Sequence, residues 1–228
     1  MIRVTENLRK IRDLLAETAV EAGRRPEDVH LLAVSKKQPL EKILEAAAAG
    51  QRDFGENIVQ EGIEKVTKLE ERGLCWHFIG HLQSNKTRPV AEHFDWVHSV
   101  DKLKTAKRLS EQRPDSLGRL NVCIQVNVDE EASKSGVPPE EVAELARAVA
   151  ELPRLKLRGL MCLPAIRETL EEQRVPFART RELAEAIARE GIVLDTLSMG
   201  MSDDFRAAIM EGATIVRIGT AVFGPRDA

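Results

Sequence analysis

The chain has 228 residues, 43% of them hydrophobic and 31% charged, which is enough for one domain with a large core and too apolar for a disordered protein. Its formal net charge of −3 provides no overall positive field to attract nucleic acid or an anionic membrane. It contains no tyrosine, which excludes every mechanism that needs a phenol as acid, base or nucleophile.

The sequence has no feature of a secreted or membrane protein. Six charged residues lie between Arg3 and Asp13, so the amino terminus lacks the apolar stretch of a secretory signal. No run approaches the roughly 18 apolar residues of a membrane-spanning helix. Cys75, Cys123 and Cys162 are odd in number and far apart, which favours neither a disulfide framework nor a metal knuckle. The sequence therefore predicts a cytoplasmic protein.

Hydrophobic spacing predicts helices and strands that alternate along the chain. A leading helix over residues 5–22 follows from the spacing of Val4, Leu8 and Leu15, and Gly23 ends it. Short apolar runs predict eight strands, at residues 29–35, 53–55, 76–79, 96–98, 120–128, 155–163, 194–198 and 214–218. The predicted helices between them cover residues 40–49, 58–72, 84–93, 103–112, 138–152, 170–190 and 203–211.

Strands that alternate with helices predict a parallel sheet. Eight such units fit a (β/α)8 TIM barrel, here with a leading helix and in a single domain over residues 1–228. The alternative fold is an open doubly wound sheet. Its dinucleotide-binding version has no support, because no G-x-G-x-x-G motif follows residues 29–35.

The ends of the last two predicted strands are rich in small residues and hydrogen-bond donors. In a (β/α)8 barrel the loops after these two strands frequently bind a phosphate. Ser198, Gly200, Gly219 and Thr220 suit that role, since glycines allow close approach of the backbone and hydroxyls add donors. The alternative is that they are ordinary turn residues, but the coincidence of two such ends favours a phosphate site.

Two cationic residues raise the question of a buried ligand. Lys36 follows the first strand and is either a solvated rim lysine or an amine in the barrel mouth that forms a Schiff base. Strand alternation does not say which of Lys36 and Lys37 faces the inside. Arg217 lies within an apolar strand and needs a partner, either a structural ion pair or an acceptor on a ligand, such as a ring nitrogen.

A metal site is not predicted. His77 and His81 are four residues apart, which is a zinc spacing on a helix, but here they span a strand and its exit. We expect no cysteine or paired carboxylate to complete a ligand set with them. Nucleophile-elbow and Walker A motifs are also absent from the sequence.

Six groups of residues, taken together and in this order, closely resemble the YggS/PROSC family of pyridoxal phosphate homeostasis proteins. They span nearly the whole chain, from residue 29 to Gly224, and their combination is more specific than any one of them. The groups are Val34-Ser35-Lys36, Phe54-Gly55-Glu56-Asn57, His77-Phe78-Ile79-Gly80-His81-Leu82-Gln83-Ser84-Asn85-Lys86, Gly159-Leu160-Met161, Leu197-Ser198-Met199-Gly200-Met201-Ser202 with Asp204, and Val216-Arg217-Ile218-Gly219-Thr220-Ala221-Val222-Phe223-Gly224.

The resemblance implies the barrel of the alanine racemase N-terminal domain without that enzyme's second domain. It also implies pyridoxal 5′-phosphate (PLP) held as an aldimine on Lys36. The other implied contacts are the phosphate at Ser198, Gly219 and Thr220, the strand-seven side lined by Met199 and Gly200, the pyridine nitrogen facing Arg217, and Asn57 close to the cofactor.

These implied contacts bear on catalysis. A guanidinium only donates to the ring nitrogen, which keeps the pyridine unprotonated and weakens it as an electron sink. In the related racemases a tyrosine supplies the second base. This chain has none, and nothing in the sequence places His81 or Cys75 opposite Lys36.

The favoured hypothesis is therefore a PLP-binding protein that buffers the cofactor or delivers it to apo-enzymes, with little or no turnover. We expect it to be a monomer that binds neither nucleic acid nor membranes. The alternatives are a racemase-like PLP enzyme acting on amino acids, and a PLP-independent aldolase or isomerase acting on a sugar phosphate.

Overall fold

The computed structural model describes residues 3–131 and 134–225. Eight parallel strands form a closed barrel in which each strand pairs with the next along the chain and the eighth pairs with the first. Helices connect the strands, and one helix precedes them. The predicted (β/α)8 barrel with a leading helix is confirmed, and the open doubly wound alternative is wrong. That residues 1–228 act as one domain stays a prediction.

The elements follow one another in a regular order. The strands are β1 (His30–Val34), β2 (Asp53–Glu56), β3 (Cys75–Phe78), β4 (Trp96–Val100), β5 (Leu120–Val126), β6 (Leu155–Cys162), β7 (Thr196–Ser198) and β8 (Ile215–Ile218). The helices are α1 (Val4–Glu21), α2 (Leu40–Ala48), α3 (Val59–Lys68), α4 (Thr87–His93), α5 (Leu103–Gln112), α6 (Val142–Ala150), α7 (Leu170–Arg189), α8 (Phe205–Met210) and α9 (Thr220–Phe223).

Most differences from the predicted elements lie at their ends. The helix predicted over residues 58–72 stops at Lys68 and is followed by a 3-10 turn at Glu70–Arg72, after which Gly73 takes a left-handed conformation with φ of 61°. The strand predicted from residue 194 begins at Thr196. The helix α9 was not predicted, because four residues are too few to show a helical period.

Two apolar layers make up the core. The strands are buried on both faces, as expected for a parallel sheet covered by helices. Outside the strands, Phe94 packs edge-on against Phe78 with their ring centroids 5.5 Å apart. The leading helix α1 buries Val4 and Leu8, and the Asn7 amide donates to the Val222 carbonyl at 3.1 Å. This contact ties α1 to the segment that follows β8.

Parallel strands in one closed barrel place all their carboxyl ends on one rim, where the predicted site residues are found. The amino ends form the opposite rim, which opens into a cavity of about 570 Å³ lined in part by His30, Asp53 and His77. Among the described residues, no helix combines the length and the apolar character needed to cross a membrane.

Candidate functional site

The register of the strands brings most of the predicted site residues to one sector of the carboxyl rim. Val34 of β1 pairs with Gly55 of β2, and Ala33 pairs with Ile218 of β8. Lys36 therefore follows β1 on this rim, between Asn57 after β2 and Gly219 and Thr220 after β8. The end of β7 adjoins β8, so Ser198 and Gly200 lie in the same sector.

Strand pairing also settles which face of β1 points into the barrel. Arg217 pairs with Leu32, and paired residues project to the same side of a sheet. The Arg217 side chain lies inside the barrel, where it donates to the Ser198 side chain of β7. The inner face of β1 is thus the one that carries Leu32 and Val34, and the alternation continues to Lys36 rather than Lys37. Lys36 is half-buried and Lys37 is exposed.

The segment before Lys36 is fixed by a buried polar cluster, Ser35–Glu56–Lys65–Glu61. The Ser35 hydroxyl donates to Glu56 Oε1 at 2.6 Å. The Lys65 ammonium of α3 donates to the same oxygen at 2.8 Å, to the Ser35 carbonyl at 2.7 Å and to Glu61 at 2.7 Å. Glu56 is fully buried, and its pKa is raised by burial, which the ammonium and the hydroxyl oppose in part.

On the other side of the rim, Arg217 is buried without a carboxylate partner. Its guanidinium donates to Ser198 Oγ at 2.8 Å and to the Cys162 carbonyl at 2.9 Å. None of the salt bridges in the described part of the chain includes it, so the structural ion pair considered from the sequence is not found. Burial lowers the pKa of this guanidinium, but from so high a value that it stays charged at neutral pH.

The turns after β7 and β8 depend on glycine. Gly200 has φ of 94°, and a Cβ there would lie 2.6 Å from the Ala208 side chain. Its carbonyl accepts from the Arg217 main-chain N–H at 3.0 Å, which locks the two strand ends together. A Cβ at Gly219 would lie 3.1 Å from the Val34 carbonyl, so the backbone passes close to β1 there. Thr220 is exposed at the start of α9.

Two of the predicted residues have their polar groups engaged elsewhere. Met199 lies in the apolar core, and its N–H donates to the Ile215 carbonyl at 3.1 Å within the sheet. The Ser198 hydroxyl lies inside the barrel between Arg217 and His98, with His98 Nδ1 at 2.7 Å. Their predicted contacts with a cofactor stay predictions.

Asn57 leaves a polar atom available to a ligand. Its Oδ1 is buried and has no hydrogen-bond partner among the described residues. Gly80 of the next strand's exit passes so close that a Cβ would lie 2.2 Å from the Asn57 carbonyl. A buried acceptor without a partner at the strand exit next to that of Lys36, and a buried cation without a salt bridge, are features of a site built around a polar ligand.

His98, which was not predicted as a site residue, is fully buried and links β7 to β3. Its Nδ1 faces Ser198 Oγ at 2.7 Å, and its Nε2 faces His77 Nδ1 at 2.9 Å. His77 Nε2 in turn lies 3.1 Å from Asp53 Oδ1. The sequence signal that could have indicated it is a histidine within the apolar run Trp96–Val100, at a position whose side chain points into the barrel.

His77 and His81, the two histidines considered as a metal-binding pair, lie in different environments. His81 is exposed on the carboxyl rim, where Ser135 Oγ lies 3.1 Å from its Nδ1. His77 lies inside the barrel, near its amino end, and brings its side chain within ligand distance of Asp53 and Cys75, with donor atoms inside 4.8 Å of one another. Burial raises the pKa of the Cys75 thiol.

Comparison with known proteins agrees with this geometry. The family described as "Alanine racemase, N-terminal domain" matches residues 3–227. The chain is 58% identical to the pyridoxal phosphate homeostasis protein of Pseudomonas aeruginosa over all of this chain and 97% of that protein. It is 53% identical to the protein of the same name from Escherichia coli K12, over 98% of this chain and 97% of that protein.

A solved structure of similar shape is PipY of Synechococcus elongatus PCC7942 with PLP bound. It superposes with a TM-score of 0.84 at 38% identity, covering 97% of this chain and all of that one. The same protein without PLP gives a TM-score of 0.86. The chain therefore belongs to the family of pyridoxal phosphate homeostasis proteins, built on the alanine racemase N-terminal domain.

Proposed function

We propose that this protein binds PLP at the carboxyl rim of its barrel and takes part in PLP homeostasis, holding the cofactor covalently on Lys36. The observation that carries the proposal is Arg217, a buried cation that forms no salt bridge in the described part of the chain, on the strand beside Lys36. The bound cofactor would supply an aldehyde for the amine, a ring nitrogen for the guanidinium and a phosphate dianion.

The residues present fit such a ligand. Lys36 would bind the aldehyde carbon, and Arg217 would donate to the ring nitrogen. The turn of Gly219 and Thr220 would receive the phosphate beside Gly200 and Ser198. Asn57 would use its orphaned Oδ1 to accept a hydrogen bond from the ligand or from a water beside it.

The arrangement supports binding rather than turnover. Racemisation needs a base on each face of the substrate carbon, and the chain has no tyrosine to act opposite Lys36. Cys75 begins β3, so it lies at the amino rim while Lys36 lies at the carboxyl rim. Its raised pKa also keeps it a thiol at neutral pH. A guanidinium on the ring nitrogen would further disfavour carbanion chemistry.

We also propose that the protein acts in the cytoplasm as a carrier of PLP. A covalent link that amines can exchange suits a cytoplasmic carrier that buffers PLP or delivers it to apo-enzymes. The net charge of −3 gives no general attraction for nucleic acid or anionic membranes. We expect a monomer, as the sequence predicts.

The test is to incubate the protein with PLP, record its absorbance, reduce it with borohydride and map the labelled peptide. We expect a stable label on Lys36 and none in the Lys36→Ala variant. The matched control is Lys37→Asn, since the neighbouring lysine is exposed and asparagine tolerates its positive φ of 56°. Label on another lysine, or no label, would contradict the proposal.

Delivery needs its own assay. Protein loaded with PLP is mixed with a PLP-dependent apo-enzyme, and recovery of enzyme activity is compared with recovery in the same concentration of free PLP. We expect transfer from the wild type and none from reduced protein, in which the cofactor is irreversibly fixed. Recovery no faster than spontaneous release allows would limit the function to buffering.

A further inference from the structure

A continuous row of hydrogen-bonded side chains crosses the inside of the barrel, from Arg217 near the carboxyl rim to Asp53 at the amino rim. We call it the axial chain: Arg217, Ser198, His98, His77 and Asp53. Its successive donor–acceptor distances are 2.8, 2.7, 2.9 and 3.1 Å. Each member lies on a different strand, β8, β7, β4, β3 or β2, so the chain joins strands across the barrel rather than neighbours alone.

The two ends of the axial chain determine the direction of its protons when both imidazole rings are neutral. The Asp53 carboxylate only accepts, so His77 Nε2 carries a proton and His77 Nδ1 accepts. His98 must then donate from Nε2 and accept at Nδ1. The Ser198 hydroxyl donates to that nitrogen, which leaves its oxygen to accept from Arg217. Every donor thus points away from the cation and towards the carboxylate.

The state of His98 agrees with this order. Burial, together with nearby His77 and Arg217, lowers its pKa well below the usual range, so the ring is neutral and has a single N–H. A neutral ring serves one donor and one acceptor, and the structure provides one partner of each kind. The pKa of the Asp53 carboxyl is lowered by its hydrogen bond to His77, which opposes the effect of burial.

We propose that His98 is a positioning residue of the cofactor site: by accepting the Ser198 hydroxyl proton, it turns the Ser198 oxygen towards the Arg217 guanidinium and aims that guanidinium at the cofactor ring. This inference rests on the proposed PLP site. His77 and Asp53 act through His98, because they fix the nitrogen on which its proton lies.

One consequence concerns the phosphate. A hydroxyl has a single proton, and in the axial chain His98 receives the proton of Ser198. The Ser198 side chain then has no donor left for a phosphate oxygen. Of the two hydroxyls predicted to bind the phosphate, only Thr220 then keeps a donor for it, while Ser198 affects the ring end of the cofactor.

The proton order can be tested without the cofactor. Nitrogen NMR of the imidazole rings in the protein without PLP reports which nitrogen carries hydrogen. We expect His98 and His77 both to be protonated on Nε2 and unprotonated on Nδ1. A His98 ring protonated on Nδ1 would overturn the proposal, because Ser198 would then accept from that ring as well.

The positioning role needs a spectroscopic test with PLP. In His98→Leu the Ser198 hydroxyl loses its acceptor, so we expect a shifted absorbance band of the bound cofactor and an affinity about tenfold weaker. His98→Asn places an amide oxygen near the position of Nδ1 and should restore most of the band. The matched control is Ser99→Ala, the next residue on β4, whose buried Oγ has no partner among the described residues.

These results separate the two proposals. A wild-type protein that forms no adduct on Lys36 contradicts the PLP site itself, whatever the ring tautomers are. A wild-type protein that binds PLP while His98→Leu keeps the wild-type band and affinity contradicts the positioning role alone. If His98→Leu does not fold, a wild-type band in His98→Gln, whose amide is displaced towards His77, contradicts it equally.

Discussion

Lys36 follows β1 and Arg217 lies on the neighbouring strand β8, yet the charges around them are arranged in opposite ways. Beneath Lys36, the buried Glu56 carboxylate is matched by the Lys65 ammonium 2.8 Å away. Around Arg217, the partners within hydrogen-bond distance are a hydroxyl and a carbonyl, and the Asp204 carboxylate acts on the guanidinium electrostatically without forming a salt bridge. In the first region a buried carboxylate and ammonium are in direct contact, whereas in the second the buried cation has no carboxylate within salt-bridge distance and can bind a ligand directly.

The comparison indicates that the Glu56–Lys65 pair contributes mainly to the stability of the fold, whereas Arg217 contributes mainly to ligand binding. Breaking a compensated buried pair leaves an uncompensated charge and destabilises the fold strongly. Removing a buried cation that forms no salt bridge relieves its desolvation, so the main expected loss is in ligand affinity rather than in stability. The same kind of substitution should therefore have different consequences on the two sides of the rim.

The largest expected effect on stability is that of Lys65→Met. Glu56 would remain buried without its cation, and we expect the free energy of unfolding to fall by about 3 kcal/mol in denaturant titrations at neutral pH. Lys68→Met removes an exposed ammonium from the same helix and should cause no measurable change. An equal loss in both variants would contradict the role of the buried pair.

The pH dependence of Lys65→Met provides a second check. Burial already raises the pKa of Glu56, and loss of the ammonium raises it further. A carboxyl whose pKa is raised by folding penalises the folded state when it is ionised, so the penalty is present at high pH and disappears as pH falls through the folded pKa. The variant should approach the wild-type stability on acidification.

Arg217→Met should have a smaller effect on stability. The lost hydrogen bonds cost about 1 kcal/mol, and part of that is offset because a desolvated cation has been removed. PLP affinity should fall at least about tenfold, since the donor to the ring is gone. A loss of stability as large as that of Lys65→Met would contradict the proposed difference between the two regions.

The neutral His98 predicts a pH dependence of opposite sign. The unfolded chain binds a proton on this ring below about pH 6.5, while the folded chain does not. Stability is therefore lost as pH falls, by up to about 1.4 kcal/mol per pH unit from this group. Denaturation series should show a shallower acid slope in His98→Asn than in the wild type. Parallel slopes would contradict a neutral buried ring.

The smallest expected effect separates the phosphate end from the ring end. Thr220→Val removes an exposed hydroxyl at the start of α9 and should weaken PLP binding about fivefold without moving the absorbance band. Ser198→Ala should move the band instead. Thr67→Val, an exposed threonine of α3, serves as the control for affinity. A band shift in Thr220→Val would contradict this assignment.

The sequence was sufficient to predict the fold, because each strand is an apolar run and each helix has its own period. The positions of Lys36, Gly219 and Thr220 at strand ends also followed from that pattern. The inward parity of β1 did not, since alternation alone gives two faces and only the pairing of Leu32 with Arg217 tells them apart.

The hydrogen bonds between buried polar side chains could not be predicted from the sequence, for a related reason. Ser198 and His98 are 100 residues apart in sequence, and no local pattern indicates that they share a hydrogen bond. The same holds for Glu56 with Lys65, nine residues apart, because a strand and the following helix can pack in several registers. Long-range pairing of buried polar groups is decided by the closed barrel, not by spacing.

The central claim is that PLP binds covalently to Lys36 at the carboxyl rim, and a crystal structure determined from crystals soaked with PLP tests it most directly. We expect the cofactor on the carboxyl rim, continuous with the Lys36 side chain, with its ring nitrogen against the Arg217 guanidinium. Cofactor bound in the cavity at the amino rim beside His30 and Asp53, or joined to another lysine, would contradict the account.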